Sequence, residues 1–302
     1  GNRRIRAVGE LAKAYDRRLN HRKVAITGSV GKTTTKEMVA SVLGAKYNTL
    51  KTQGNFNNDI GTPLTLFGLE ESHEAAVIET GMNHFGEIAY LSNIAHPDIA
   101  VIMNIGTTHM EFLGSQLGIR KAKMEIVEGM DSRGLLLLNG DDVLLRHLDT
   151  QPEQRITYFG QGEGCDVRGV EVSQEMDHLS FRAEAGKLRI PVEMDLEGEH
   201  YVADALAAIT VALKLAVPHE RIGESLASFH NISGRQEIFK AGEYTIISDC
   251  YNAGPESMAA ALTVLGNRTG RRVAVLGDML ELGTAAQAEH YRVGRIAAEK
   301  AD

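Results

Sequence analysis

The chain has 302 residues, with 32 Lys and Arg against 40 Asp and Glu and a formal net charge of -8, which argues against a nucleic-acid binder resting on net positive charge. Its length allows a large core and more than one compact unit. Cys165 and Cys250, the two cysteines, offer neither a disulfide framework nor metal-ligand spacing. No apolar run approaches the ~20 residues of a bilayer span, and the N-terminus lacks a signal-like apolar region, which predicts a cytoplasmic protein that engages no membrane.

Ile5, Val8, Leu11, Ala12, Tyr15 and Leu19 fall at helical intervals and predict an amphipathic lead-in helix over residues 3–19. An apolar run, Val24, Ala25 and Ile26, then leads into Thr-Gly-Ser-Val-Gly-Lys-Thr-Thr at 27–34. Behind it, Met38, Val39, Val42 and Leu43 share one helical face. Strand, glycine loop and helix in this order form a phosphate cradle. The glycines let backbone approach a phosphate, the helix start adds positive potential, Lys32 supplies a charge and Thr33 a hydroxyl for magnesium. The pattern G-x-x-x-x-G-K-[ST] is not fully met, because Ile26 stands where its first glycine belongs and Gly28 lies closer in. An ordinary turn with a solvated lysine is the competing reading of the string alone.

Residues 52–63 form a long Gly- and Asn-rich connection, read either as a functional loop or as a solvated turn, with a helix after it near Pro63. Ala75 to Ile78 reads as a buried strand with Glu79 at its C-terminal end, where a parallel sheet opens into its binding crevice and a carboxylate can hold magnesium. The next strand, 99–103, leads in the same way to His109. A helix capped by Ser115 follows, carrying Lys121 and Lys123. Singly, these are ordinary loop and surface residues; behind a phosphate loop they make a candidate site.

Leu135 to Leu138 gives one more strand, and residues 155–196 change to short alternating runs that predict an antiparallel β extension. Helices return near 200–215 and 220–229. At Ser233, Gly234 and Arg235 the organisation restarts: a hairpin over 237–248, Asp249, a helix over 257–265, a strand over 272–276, a Gly-Asp loop and a helix from Ala285. This predicts a second α/β unit that stops unfinished.

Six stretches together resemble the Mur ligases. They are the loop 27–34 with Lys36 and Glu37, Gly-Asn-Phe-Asn-Asn-Asp-Ile-Gly at 54–61, Glu-Thr-Gly-Met-Asn-His-Phe-Gly-Glu-Ile at 79–88, Ala-Lys-Met-Glu-Ile at 122–126, Asp-Cys-Tyr-Asn-Ala at 249–253 and Gly-Asp-Met-Leu-Glu-Leu-Gly at 277–283. The resemblance runs over nearly all of the chain, and its most specific pieces point to the branch that adds D-alanyl-D-alanine to UDP-N-acetylmuramoyl-tripeptide. It implies an α/β fold: a P-loop nucleotide-binding domain with a mostly parallel sheet and a small antiparallel β extension, followed by a partial Rossmann-like domain. The boundaries it implies are 1–232, including the lead-in helix, and 233–302. The family's N-terminal UDP-sugar domain is expected before residue 1 and the rest of its C-terminal domain after Asp302.

By the same resemblance, ATP phosphorylates a substrate carboxylate and an amine then attacks the acyl phosphate. The nucleotide is held by Gly28, Ser29, Val30, Gly31, Lys32, Thr33 and Thr34, with Arg235, Asp249 on the ribose, and Asn252. Lys32 compensates the β- and γ-phosphates. Thr33 with Glu79 would hold one magnesium ion and His109 a second, while Lys123 matches the family's carbamylated lysine and Glu79 could bridge the pair. Lys32, Glu79, His109 and Lys123 are the expected catalytic set. The family shows His-Asn-x-x-Asn where this chain has His200, Tyr201 and Asp204, so Asp204 falls at an adenine-recognising position with a side chain that, when ionised, only accepts hydrogen bonds. A monomer is expected. Two alternatives stay open: another amide ligase of the superfamily, of folylpolyglutamate or polyamino-acid synthetase type, and a non-catalytic nucleotide-binding module.

Overall fold

The computed structural model describes residues 2–302. The first half runs α1 (Asn2–Asp16), β1 (Arg22–Thr27), α2 (Lys32–Gly44), β2 (Thr49–Lys51), α3 (Gly61–Phe67), β3 (Ala75–Glu79), α4 (Glu87–Ala95), β4 (Ile99–Ile102), α5 (Met110–Leu113) and α6 (Gln116–Met124). It continues with β5 (Leu135–Asn139), α7 (Val143–Arg146), β6 (Arg155–Gly160), β7 (Val167–Glu175), β8 (His178–Ala185), β9 (Leu188–Met194), α8 (Tyr201–Lys214) and α9 (His219–Ala227). The C-terminal region holds β10 (Glu237–Ala241), β11 (Tyr244–Ser248), α10 (Pro255–Gly266) and α11 (Ala286–Lys300).

Among the described residues, nine strands form one sheet in the order β2-β3-β1-β4-β5-β6-β7-β8-β9. Strands β2 to β6 pair in parallel, while β7, β8 and β9 pair antiparallel. The central strands are apolar throughout because helices cover both faces. Val24 and Ile26 point into the core shared with α2 and α8, and Ala25 points into the opposite core with Ile88, Ile119 and Ala122. From β1 the sheet grows one way to β3 and the other way to β4. The crevice at the carboxyl ends of these three strands is therefore a topological switch point.

Helix α6 starts where its cap predicts: Ser115 Oγ accepts from Gly118 N at 3.1 Å. Two expectations need correction, and two elements are additional. Residues 155–160 do not belong to the antiparallel extension; β6 pairs in parallel with β5, and the antiparallel run begins only at β7. Alternation in β6, which pairs in parallel with β5 and β7, reflects partial cover on one face and resembles that of a hairpin strand. Strand β2 and helix α4 were not anticipated, since three residues carry too little periodicity and Gly86, at φ 84, conceals the start of α4. The expected strand at 272–276 forms no ladder. A strand exists only through its partners, yet β10 and β11 pair with each other and Val275 is 94% exposed. The core of this region is Leu262, Met279, Leu282 and Val293, between α10, α11 and the loop before α11. No helix among the described residues is long and apolar enough to cross a membrane.

Candidate active site

Between the end of β1 at Thr27 and the start of α2 at Lys32 the chain must turn within four residues. Gly31 does so at φ 83, and a Cβ there would lie 2.8 Å from Asp204 Oδ1. A Cβ on Gly28 would lie 2.8 Å from that of Met103. The loop is shaped by Asn104, at the end of β4, whose Oδ1 accepts from Ser29 N at 3.0 Å and Val30 N at 2.9 Å while its Nδ2 donates to Val30 O at 3.1 Å. Lys32 Nζ donates to Gly28 O at 2.7 Å and Ser29 O at 3.2 Å. Burial lowers its pKa, against the opposing charge of Glu79 and with a smaller push from Arg235.

A cleft of about 640 Å³ opens over this loop. Ser29, Val30, Gly31, Lys32, Thr33, Glu79, His109, Arg235, Asp249 and Asn252 all line it. Gly28, Thr34 and Lys123 are not among the residues that line it. Glu79 ends β3 with 1% of its surface exposed. Asn57 Nδ2 donates to its Oε1 at 2.8 Å, whereas Oε2 has no hydrogen-bond partner and lies 4.0 Å from Lys36 Nζ. A desolvated carboxylate oxygen without a hydrogen bond is costly, and a cation closer than Lys36 is what it suits. Among the described residues no cluster of three or more His, Cys, Asp or Glu forms a complete metal cage. Any ion here would need hydroxyl, imidazole or other oxygen ligands besides Glu79, and Thr33 and His109 share its cleft.

His109 takes the left-handed conformation at φ 67, unusual for a residue with a side chain. Its Nδ1 lies 2.6 Å from Glu281 Oε2. Burial is the main cause lowering its pKa; the Glu281 hydrogen bond and charge oppose this, and the charges of Lys123 and Lys32 add to it. The balance favours the neutral imidazole that a metal ligand requires. Lys123, on the buried face of α6, is pushed well below 10.5 by burial and secondarily by Lys32. The charge of Lys32 thus acts on both His109 and Lys123, and that of Glu79 on Lys32.

From the C-terminal region, the Arg235 guanidinium stacks 3.9 Å from the Tyr251 ring centroid and donates to Thr33 Oγ1 at 3.2 Å. Asp249 Oδ1 accepts from Gln236 N at 3.2 Å, and burial raises the Asp249 pKa. Asp204 stands apart from the expected nucleotide contacts. It lies beneath the loop and not in the cleft wall, because α8 packs against α2 and aims this side chain at the helix start. Its Oδ1 accepts from Thr35 Oγ1 at 2.7 Å, and burial pushes its pKa up to about 7.

Asn57, Asn104 and Glu281 join the site beyond the residues expected from the sequence; Asn57 and Glu281 lie in two of the motif stretches, at 54–61 and 277–283. The available signal for Asn104 was its place at a strand's carboxyl end, equivalent to that of Glu79. Lys36, part of the loop motif, is buried; its Nζ donates to Thr52 O at 2.8 Å and lies 2.9 Å from Glu37 Oε1.

Residues 26–212 match the family model of the Mur ligase middle domain, and residues 234–302 match that of the Mur ligase glutamate ligase domain. The chain is 41% identical over 296 residues to a UDP-N-acetylmuramoyl-tripeptide--D-alanyl-D-alanine ligase of Bacillus subtilis, covering 97% of this chain and 64% of that protein. It thus spans just under two thirds of that relative's length. A crystal structure of MurF from Acinetobacter baumannii superposes with a TM-score of 0.91 at 37% identity, over 97% of this chain and 65% of that one. A MurF ligase from Thermotoga maritima in complex with ADP superposes with a TM-score of 0.89 at 29% identity, over 97% and 68%. With more than half of its length matched by the middle-domain model alone, the chain belongs to the Mur ligase family.

Proposed function

We propose that this chain carries the nucleotide and metal chemistry of an ATP-dependent ligase that joins D-alanyl-D-alanine to UDP-N-acetylmuramoyl-tripeptide in the cytoplasm. The observation that carries the reading is the buried Glu79 Oε2, which accepts no hydrogen bond, in the same cleft as Lys32, Thr33 and His109. The names of the Bacillus and Acinetobacter relatives support the substrate assignment, and the ADP complex of the Thermotoga ligase supports the nucleotide. We divide the chain at 232/233, between the two family matches and just ahead of the hairpin β10–β11.

In this reading the loop 28–34 cradles the nucleotide phosphates, and Lys32 leaves its own loop carbonyls to compensate β- and γ-phosphate charge. Arg235, which donates to Thr33, Asp249 at the ribose and Asn252, which lines the same cleft, complete the nucleotide contacts. Magnesium, when bound, supplies further charge compensation; Thr33, Glu79, His109 and a carbamate on Lys123 would hold it, with two ions the expected complement. Burial shifts Lys123 toward the neutral amine that adds to carbon dioxide, releasing one proton as the carbamate forms. The tripeptide carboxylate accepts the γ-phosphoryl group, and the amine of D-alanyl-D-alanine displaces phosphate to leave the amide. The chain's contribution is orientation and oriented charge.

Calorimetry with ADP and magnesium tests the nucleotide part: binding by the wild type that is lost in Lys32→Ala supports it, and equal affinity of both proteins overturns it. Substrate assignment is tested by phosphate release from the natural full-length protein. Turnover with UDP-N-acetylmuramoyl-tripeptide and D-alanyl-D-alanine supports the reading; turnover only with folate and glutamate overturns it.

A further inference from the structure

The loop that carries His109 is gripped from the C-terminal region. Thr107 N and Oγ1 both donate to Glu256 Oε1 at 3.0 Å, Glu111 N donates to Glu281 O at 3.1 Å, and Glu281 Oε2 meets His109 Nδ1 at 2.6 Å. A Cβ on Gly283 would lie 2.9 Å from Glu111 Cα, so backbone packs directly on backbone at this contact. Glu281 sits at φ 61 and His109 at φ 67. Two side-chain-bearing residues in the left-handed region, one from each region of the chain, thus meet through their side chains. Such conformations persist where the surroundings hold them and cluster at functional sites. With Nδ1 engaged by a carboxylate acceptor, the ring carries its proton there, and Nε2 is the nitrogen left for a cation in the cleft that His109 lines.

We propose that Glu281 is a positioning residue for His109: its carboxylate fixes the imidazole tautomer and orientation, so that docking of the C-terminal region completes the cation site. This rests on the reading of His109 as a cation ligand. The arrangement is a carboxylate–histidine pair whose two halves come from separate parts of the chain, and it makes cation affinity sensitive to whether the 277–283 loop is seated.

Long-range nitrogen–proton NMR on metal-free protein labelled at histidine, with the His109 signals identified by their loss in His109→Gln, reads the tautomer directly. The wild type should show protonated Nδ1 and bare Nε2. Glu281→Ala should lose that preference, and Glu281→Gln, which keeps an acceptor, should retain it. Manganese affinity, followed by electron paramagnetic resonance, should fall about 10- to 100-fold in Glu281→Ala, the range for removing a carboxylate behind a ligating histidine, and only slightly in Glu281→Gln. Unchanged ring shifts in Glu281→Ala would overturn the inference. So would a manganese affinity that falls in His109→Gln but not in Glu281→Ala, while leaving the cation reading intact. Manganese affinity unchanged in His109→Gln removes that reading and the inference with it.

Discussion

Asp204→Asn is the perturbation whose magnitude follows most directly from the structure. Asp204 is buried beneath the phosphate loop, where Thr35 Oγ1 donates to it at 2.7 Å, and burial raises its pKa from 3.8 to about 7. Below pH 3.8 the carboxyl is neutral in the folded and the unfolded chain, and the stability associated with the neutral form is fully present. Between 3.8 and about 7 the unfolded chain ionises alone, so stability falls by roughly 1.4 kcal/mol per pH unit; above 7 both states are ionised and the loss is constant at about 4 kcal/mol. Asparagine keeps the oxygen that accepts from Thr35 and does not titrate. The stability of Asp204→Asn relative to wild type should therefore rise by about 3 kcal/mol from pH 5 to pH 8, with most of the rise below 7. Urea unfolding followed by far-ultraviolet circular dichroism suits a chain without tryptophan, and subtracting the two proteins at each pH cancels the other titrating groups. A difference that stays flat across this interval refutes the argument that desolvation governs Asp204.

Two other substitutions follow from particular contacts, and a third from the burial of Lys123. Lys36→Met removes the cation that lies 2.9 Å from Glu37 and 4.0 Å from Glu79, leaving the buried Glu79 carboxylate without it; a loss of about 3–5 kcal/mol in urea unfolding is expected, and a loss under 1 kcal/mol would show that the pair is dispensable. Ser115→Ala deletes the acceptor for Gly118 N at the start of α6 and should cost about 1 kcal/mol by the same assay, with no change in manganese affinity. Carbon-13 bicarbonate should give a carbamate resonance in the wild type that grows as pH rises and the Lys123 amine loses its proton, and that is missing in Lys123→Ala; identical spectra would remove the carbamate.

What the sequence determined by itself is local. A strand, a glycine-bearing turn and an amphipathic helix can be read from residues 24–43 because each depends on neighbours a few positions away, and Ser115 announces α6 for the same reason. Glu79 and His109 were legible as candidates because residues at the carboxyl ends of parallel strands meet at one edge whatever the rest of the chain does. Tertiary structure decided everything that depends on a partner far along the chain. Whether 155–160 pairs in parallel, and whether 272–276 pairs at all, is set by which strand lies beside it, since a ladder belongs to two segments and periodicity describes only one. Asp204 lies under Gly31 and Thr35 because α8 packs on α2, a contact between residues 169 apart. Glu281 reaches His109 across 172 residues, and no spacing in the sequence encodes that distance; it exists because the fold brings two left-handed turns together.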